Sequence, residues 1–274
     1  MIDFHTHILP NQVNNIIQSF GNDEVFRKMF DNNKETSDYS KLLMNMSKNS
    51  ISKSVILGYG WTNFEVLKMS NSYNLDCAKN NKKLIPFCSV NPNFGKKSND
   101  ELERCISLGA RGIGEIHPAV QNLEMTNLEI WKDTMHLALN ADLPISIHCS
   151  EPVGHIYPGK GNTELNKMYE FIKLFPENKI VLSHWGGGLF FYELMKEVKE
   201  LSRNVYYDTA ATSYLYNEDI FEISIKIIGA EKILFGSDFP ILNPSRVLGE
   251  MKNIGAKNIE KLTSSNAKFL LGLN

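Results

Sequence analysis

The sequence predicts an α/β protein, a (β/α)8 TIM barrel, folded as a single domain over residues 1–274. Three observations lead there. Eight short, apolar, β-prone runs recur along the chain, amphipathic segments separate them, and no linker-like, low-complexity or charge-dense block divides the sequence. Strands that alternate with helices pair in parallel through right-handed crossovers. Eight such units in about 250 residues are the arithmetic of the barrel. An open doubly wound sheet is the competing layout, but no GxGxxG pattern follows the first run.

The eight runs are Met1–His7, Lys53–Tyr59, Leu84–Pro92, Ala110–Pro118, Pro144–Ser150, Lys179–Trp185, Val205–Ala210 and Ile233–Pro240. Continuous apolar stretches such as Lys179-Ile-Val-Leu-Ser suit strands buried on both faces. Between the runs the apolar period lengthens to that of a helix. Leu102, Cys105, Ile106 and Leu108 form one stripe, with Gly109 placed to stop it. Leu165, Met168, Tyr169, Ile172 and Phe175 form another, closed by Pro176, and segments 189–201 and 220–228 repeat the pattern. Two connections are longer than the fold needs, at about residues 8–39 and 151–162. The first is expected to hold an extra helix around Val13, Ile16, Ile17 and Phe20, and the second is rich in Gly and Pro. Loops that follow barrel strands line the active face, so both are candidate lids or substrate-binding segments.

Composition narrows the functional classes. Lys+Arg 29 against Asp+Glu 31 gives a net charge of −2, without the basic excess that phosphate-binding surfaces need, so no nucleic-acid partner is expected. No apolar run approaches the roughly 18 residues of a membrane span. Met1 to Pro10 carries Asp3, His5 and His7 where a signal peptide would be apolar, so this segment reads as structure and the cytoplasm as the expected compartment. Cys77, Cys88, Cys105 and Cys149 show no CxxC spacing and read as buried thiols. Oligomeric state is not legible from these residues.

The chemistry concentrates at the ends of the runs. In Asp3-Phe-His5-Thr-His7, residues two apart on a strand point to one side, so both imidazoles can converge on one metal. Glu115 and His117 close the fourth run, His148 the fifth, His184 the sixth and Asp238 the eighth. C-terminal strand ends are where barrels put catalysis. Separately buried structural histidines would have to arise independently at each of these places. Neutral imidazoles with carboxylates suit a divalent ion such as zinc, with manganese a second option, leaving a position open for water. Such an ion lowers the pKa of water towards roughly 7, and a carboxylate beside it can take the proton. Asp238 is the candidate for that role.

The ordered set, from DFHTH through the two later histidines to FGSDFP and the terminal Asn266-Ala-Lys-Phe-Leu-Leu-Gly, resembles the amidohydrolase superfamily across essentially the whole chain. It is most similar to the amidohydrolase-2 branch of aminocarboxymuconate-semialdehyde decarboxylase and sugar and dicarboxylate lactonases. The resemblance implies that His5, His7, His148 and Asp238 ligate a divalent metal. It also implies that His184 either binds a second metal or polarises substrate and activates water, and it makes a homodimer plausible. Glu115 departs from the carboxylated lysine of many two-metal members. A GEI glutamate resembles the TatD-like deoxyribonucleases and phosphotriesterase relatives, where it bridges two metals, so one or two ions are open. Glu115 is then either a bridging ligand or a carboxylate that orients a ligand histidine.

Other residues carry two readings. His117 is a substrate contact or part of a structural His-Pro turn. In the loop after His148, His155, Tyr157 and Lys160 are candidates to bond an anionic group of the substrate, or are solvent-facing polar residues. Trp185 and Gly186 to Gly188 either bind an anion through backbone N–H groups or permit a tight turn. Asp208 can point into the pocket, as can Tyr214 and Tyr216, or it can cap a turn. Cys149 faces away from the metal, and His136 lies on a helix away from the site. The function expected is a metal-dependent hydrolase of a small carboxylate-bearing ester, lactone or amide, with Asp238 and His184 catalytic. A non-oxidative decarboxylase and a TatD-like nuclease or phosphoesterase are the alternatives, and a binding protein with a structural metal is the bland one.

Overall fold

The computed structural model describes residues 1–10, 20–30, 37–157 and 159–273. Eight strands, β1 (Ile2–His7), β2 (Lys53–Leu57), β3 (Leu84–Cys88), β4 (Gly112–Ile116), β5 (Ile145–Ile147), β6 (Ile180–Leu182), β7 (Val205–Asp208) and β8 (Ile233–Leu234), form one sheet in sequence order. Each pairs in parallel with the next. Beyond the two-residue β8 the chain runs on beside β1. The Phe4 N–H donates to the Phe235 carbonyl at 2.7 Å and the His7 N–H to the Phe239 carbonyl at 2.8 Å, which nearly closes the barrel. Every run expected from the sequence contains one of these strands.

The interior and the outer layer are separate cores. Ile2, Phe4, Val55, Leu57, Ile85, Phe87, Val181 and Leu234 fill the barrel, and Ala267, Leu270 and Leu271 of the last helix (Asn266–Leu271) pack with them. A larger cluster, with Trp131, Phe171, Trp185, Phe190 and Phe221 at its centre, joins the outer strand faces to the helices. Both faces of each strand are therefore buried, which is why the strands read as unbroken apolar runs. Helices start where their sequences offer a cap. The Asn63 carboxamide accepts from the N–H groups of Glu65 and Val66, and Asp38 accepts from those of Ser40 and Lys41.

Helices 96–107, 165–174 and 219–228 lie on the expected stripes. Segment 189–201 differs. A 3-10 stretch, His184–Leu194, precedes a short α-helix, Lys196–Leu201. The cause is local: His184, Trp185, Gly186, Gly187 and Gly188 all have positive φ, between 55° and 90°, so a right-handed helix cannot begin there. In the first long connection the chain forms a helix at Glu24–Phe30, and Phe20 is buried. The helix expected around Val13, Ile16 and Ile17 falls outside the described residues. Cys77, Cys88, Cys105 and Cys149 are free and buried. Among the described residues, no helix is long and apolar enough to cross a membrane.

Candidate metal centre

Two strand irregularities aim the polar residues. The β1–β2 register shifts between Asp3 and Thr6, and Phe4 stays in the barrel interior while His5 and His7 face its mouth. The β4–β5 register shifts between Ile113 and Ile116. Gly114 there has φ +130°, and a β-carbon on it would lie 2.5 Å from the Ser146 carbonyl oxygen. Only glycine meets both conditions, and it sets Glu115 into the centre.

Around Glu115 the side chains form two groups. His5 Nε2 and His7 Nε2 stand 3.0 Å apart, and Asp238 Oδ1 lies 3.5 Å from the first and 3.7 Å from the second. On the other side His148 Nδ1 and His184 Nε2 are 3.2 Å apart. Glu115 lies between them. Its Oε2 is 3.8 Å from His5 Nε2 and 3.7 Å from His7 Nε2, and its Oε1 is 3.1 Å from His148 Nδ1 and 3.4 Å from His184 Nε2. His5, His7 and Asp238 each offer one ligand atom within 4.8 Å of the others, and so do His5, Glu115 and His184. All six sequence-predicted metal residues are thus brought together.

The outer nitrogens decide which atoms face inward. His5 Nδ1–H donates to Asp208 Oδ2 at 2.9 Å, which leaves Nε2 as a lone pair aimed at His7. His184 Nδ1–H donates to the Ala210 carbonyl at 3.2 Å, and His148 Nε2 lies 3.0 Å from Ser150 Oγ. His7 is the exception. Its buried Nδ1 has no hydrogen-bond partner among the described residues, and its ring stacks on Tyr59 at a centroid distance of 4.4 Å. Imidazole nitrogens that meet at 3.0 Å need a proton or a metal cation between them, and with the Asp238 and Glu115 carboxylates beside both rings this donor set fits a divalent ion.

The electrostatics agree. Burial disfavours charge on His5, yet Asp208, Glu115 and Asp238 outweigh it and raise its pKa to about 9. His184 rises to about 10, where the Glu115 carboxylate prevails over burial. Burial and the neighbouring His5 push His7 down to about 4. Burial would raise Glu115, but His5 and His148 hold its carboxyl well below the ordinary range. The pocket therefore concentrates negative potential on a buried spot lined by nitrogen.

His184 and Asp238, the residues assigned to catalysis, both have left-handed backbone, with φ 55° and 68°. Such strain in a non-glycine residue is retained where surrounding contacts impose it, and it clusters at functional sites. Here the Asp238 N–H donates to the His5 carbonyl at 2.9 Å and the His184 N–H to Asp208 Oδ1 at 2.9 Å.

Asp208 is the residue whose role sequence reasoning left open. Its carboxylate accepts from His5 Nδ1 and from the His184 and Ala210 N–H groups, tying β1, β6 and β7 beneath the centre. The signal was available: an Asp ending a strand, like the ligands themselves.

Of the two readings of His117, its contacts favour the structural turn. Its ring stacks on His148 at 3.9 Å, but Nε2 is bonded to the Gly159 carbonyl at 2.9 Å and Nδ1 accepts the Val120 N–H at 3.4 Å. Both nitrogens are committed, so it clamps the following loop and has none left for substrate. His155 is exposed, 5.7 Å from the Tyr157 ring. Lys160 Nζ donates to the carbonyls of Val153 and His155, so it staples its own loop, against the expected anion contact. Tyr157 donates its O–H to Glu151 Oε2 at 3.4 Å, one residue along from Ser150. The glycines after Trp185 serve the tight turn: a β-carbon on Gly187 would lie 2.5 Å from the Ser150 carbonyl oxygen. Cys149 is buried in the outer core, and exposed His136 bonds Asn140.

A family model described as Amidohydrolase matches residues 2–273. Among solved structures, 5-carboxyvanillate decarboxylase LigW from Sphingomonas paucimobilis aligns over 100% of this chain and 99% of its own, with TM-score 0.79 and 15% identity. A dihydroxybenzoic acid decarboxylase from Polaromonas sp. JS666, with bound manganese and the inhibitor 2-nitroresorcinol, covers 99% of this chain and 96% of its own (TM-score 0.76, 17% identity). The 4-oxalomesaconate hydratase of Rhodopseudomonas palustris covers 99% and 95% (TM-score 0.68, 15% identity). At these identities the likeness is one of fold. Comparison with curated protein sequences gave no match.

Proposed function

The chain belongs to the amidohydrolase family of metal-dependent enzymes, and on that premise we propose that it is a two-metal hydrolase attacking the carbonyl of a small ester, lactone or amide. The observation that carries this is Glu115, whose two carboxylate oxygens face two different histidine pairs. A carboxylate that only oriented a histidine would present one oxygen to the outer nitrogen of one ring, which is what Asp208 does for His5.

In this reading His5, His7 and Asp238 would hold one divalent ion and His148 and His184 the other, with Glu115 supplying one oxygen towards each group. Zinc suits this mixed nitrogen and oxygen set, and manganese is the alternative. When bound, the ions supply Lewis-acid polarisation of the carbonyl and acidify the attacking water. Asp238 accepts that water's proton and returns it to the leaving group. Its left-handed backbone, fixed by the His5 carbonyl, keeps the carboxylate beside both β1 imidazoles. Asp208 keeps the His5 ring in the tautomer whose Nε2 faces inward. The carboxylate expected on the substrate has no partner in Lys160, whose ammonium is bonded within its own loop.

Metal analysis of purified protein tests the reading, with two ions per chain expected and one in Glu115→Gln. A single ion in the wild type would remove the bridging role. Non-oxidative decarboxylation is the second reading, favoured by the decarboxylases among the structural neighbours. Carbon dioxide release from a panel of aromatic and aliphatic acids, measured against acid release from esters and lactones, separates the two.

A further inference from the structure

Three loops meet beside His148. Ser150, after β5, sets its hydroxyl 3.0 Å from His148 Nε2 and accepts the Gly161 N–H at 2.9 Å. Gly187, after β6, lies against the Ser150 backbone. From this shared edge Glu151 extends between two phenols. The Tyr157 O–H donates to Glu151 Oε2 at 3.4 Å, and burial with the Glu151 charge pushes that phenol up to about 12. The Tyr216 hydroxyl, after β7, lies 3.7 Å from where a β-carbon on Gly188 would stand, and burial, the Glu151 charge and a side-chain hydrogen bond with Glu151 raise its phenol.

Glu151 is part-buried, and among the described residues its buried Oε1 has no hydrogen-bond partner. A carboxylate oxygen cut off from water without a donor is costly, and proteins normally meet it with a cation. None is supplied here. Among the described residues, no lysine or arginine forms an ion pair with Glu115, Glu151, Asp208 or Asp238. Lys160, the cation of the same loop, is committed to two carbonyls. Ser150, which adjoins Glu151 in the chain, has its hydroxyl 3.0 Å from His148 Nε2, which places this box beside the metal centre.

We infer that Glu151, framed by Tyr157 and Tyr216, determines specificity by receiving a cationic N–H donor, an ammonium or guanidinium head, at the end of the substrate remote from the scissile carbonyl. The inference rests on the hydrolase reading and adds the substrate class to it. Oε1 takes the charged donor and Oε2 stays with the Tyr157 hydroxyl, while the Tyr157 ring carries the Lys160 ammonium 5.6 Å from its centroid.

A matched set of short esters tests it, with the same scissile bond and a far end that carries ammonium, methyl or carboxylate. In the wild type, kcat/KM for the ammonium ester should exceed that for the methyl ester by about tenfold to a hundredfold, mainly through KM. Glu151→Gln should bring the ratio close to one and Glu151→Asp should keep part of it, with metal content equal in all three proteins. A wild-type preference for methyl or carboxylate, or a ratio untouched by Glu151→Gln, overturns the inference and leaves the hydrolase reading standing. If no ester is turned over, the hydrolase reading fails, and calorimetric binding of the same compounds decides. Tighter binding of the ammonium compound that Glu151→Gln abolishes sustains the inference, and equal binding of ammonium and methyl compounds overturns it.

Discussion

The floor of the mouth and the loop above it are built on opposite terms. On the floor, three of the four inward-facing histidines are held from behind, His5 by Asp208, His184 by a carbonyl and His148 by Ser150. These residues sit on strands whose other side chains are core. The loop at 151–161 is held by polar contacts near the surface: Lys160 to two carbonyls, Tyr157 to Glu151, and Gly159 to His117. Chemistry that needs fixed atoms is assigned to the floor, and recognition is left to the part that can change without disturbing the barrel.

Substitutions can break that division or sharpen it. Asp238→Asn should have the largest effect, with metal partly retained and kcat lowered by roughly 10²–10⁴-fold, as expected for loss of a general base; undiminished turnover would refute its role as proton carrier. Asp208→Asn should weaken metal binding by about 10–100-fold, measured by competition with a chelator, because the His5 tautomer is no longer enforced. Gly187→Ala joins the two regions. Its φ of +59° and the 2.5 Å approach to Ser150 predict a loss of about 1–3 kcal/mol, read as a lower Tm.

A smaller effect lies behind the floor. The Tyr207 hydroxyl donates to Glu193 at 2.8 Å, and burial raises the Glu193 pKa to about 7. The native state then keeps a proton that the unfolded chain releases above about 4.5, so this residue's contribution falls as pH rises from there to about 7. In Glu193→Gln that part of the pH dependence of Tm should disappear. Lys160→Ala should change stability least, by within about 0.5 kcal/mol. A large rise in KM for a carboxylate substrate in that variant would restore Lys160 as an anion partner.

Much of the floor was legible because barrel strands leave a plain trace, an apolar run ending in a polar residue. His5, His148 and Asp238 each end such a run, and the structure gathers them with Glu115. Asp208 ends one too, but an aspartate there caps turns as often as it serves a site, and only its contact with His5 separates the two. His117 kept two readings for a related reason. Its position beside Glu115 says which face it shares, but whether its nitrogens are free depends on a carbonyl 42 residues later. Segment 189–201 misled because helical periodicity in side chains says nothing of the left-handed backbone before it. Glu151 stood in plain view in the loop after His148, yet its importance comes from what does not touch it.

The two halves of the centre also differ in when they can exist. Glu115, His148 and His184 come from consecutive βα units and are all present once the chain has reached residue 184. His5 and His7 must wait for Asp238, 231 residues beyond His7, which arrives only when the chain after β8 lies beside β1. That pairing closes a loop of most of the chain and draws on a late-made part of the barrel. An ion bound there would act as a latch on the finished fold, since it binds the closed chain and has no site in the open one. On the two-metal reading, occupancy of the first position would record closure of the barrel, and occupancy of the second would depend mainly on its middle strands.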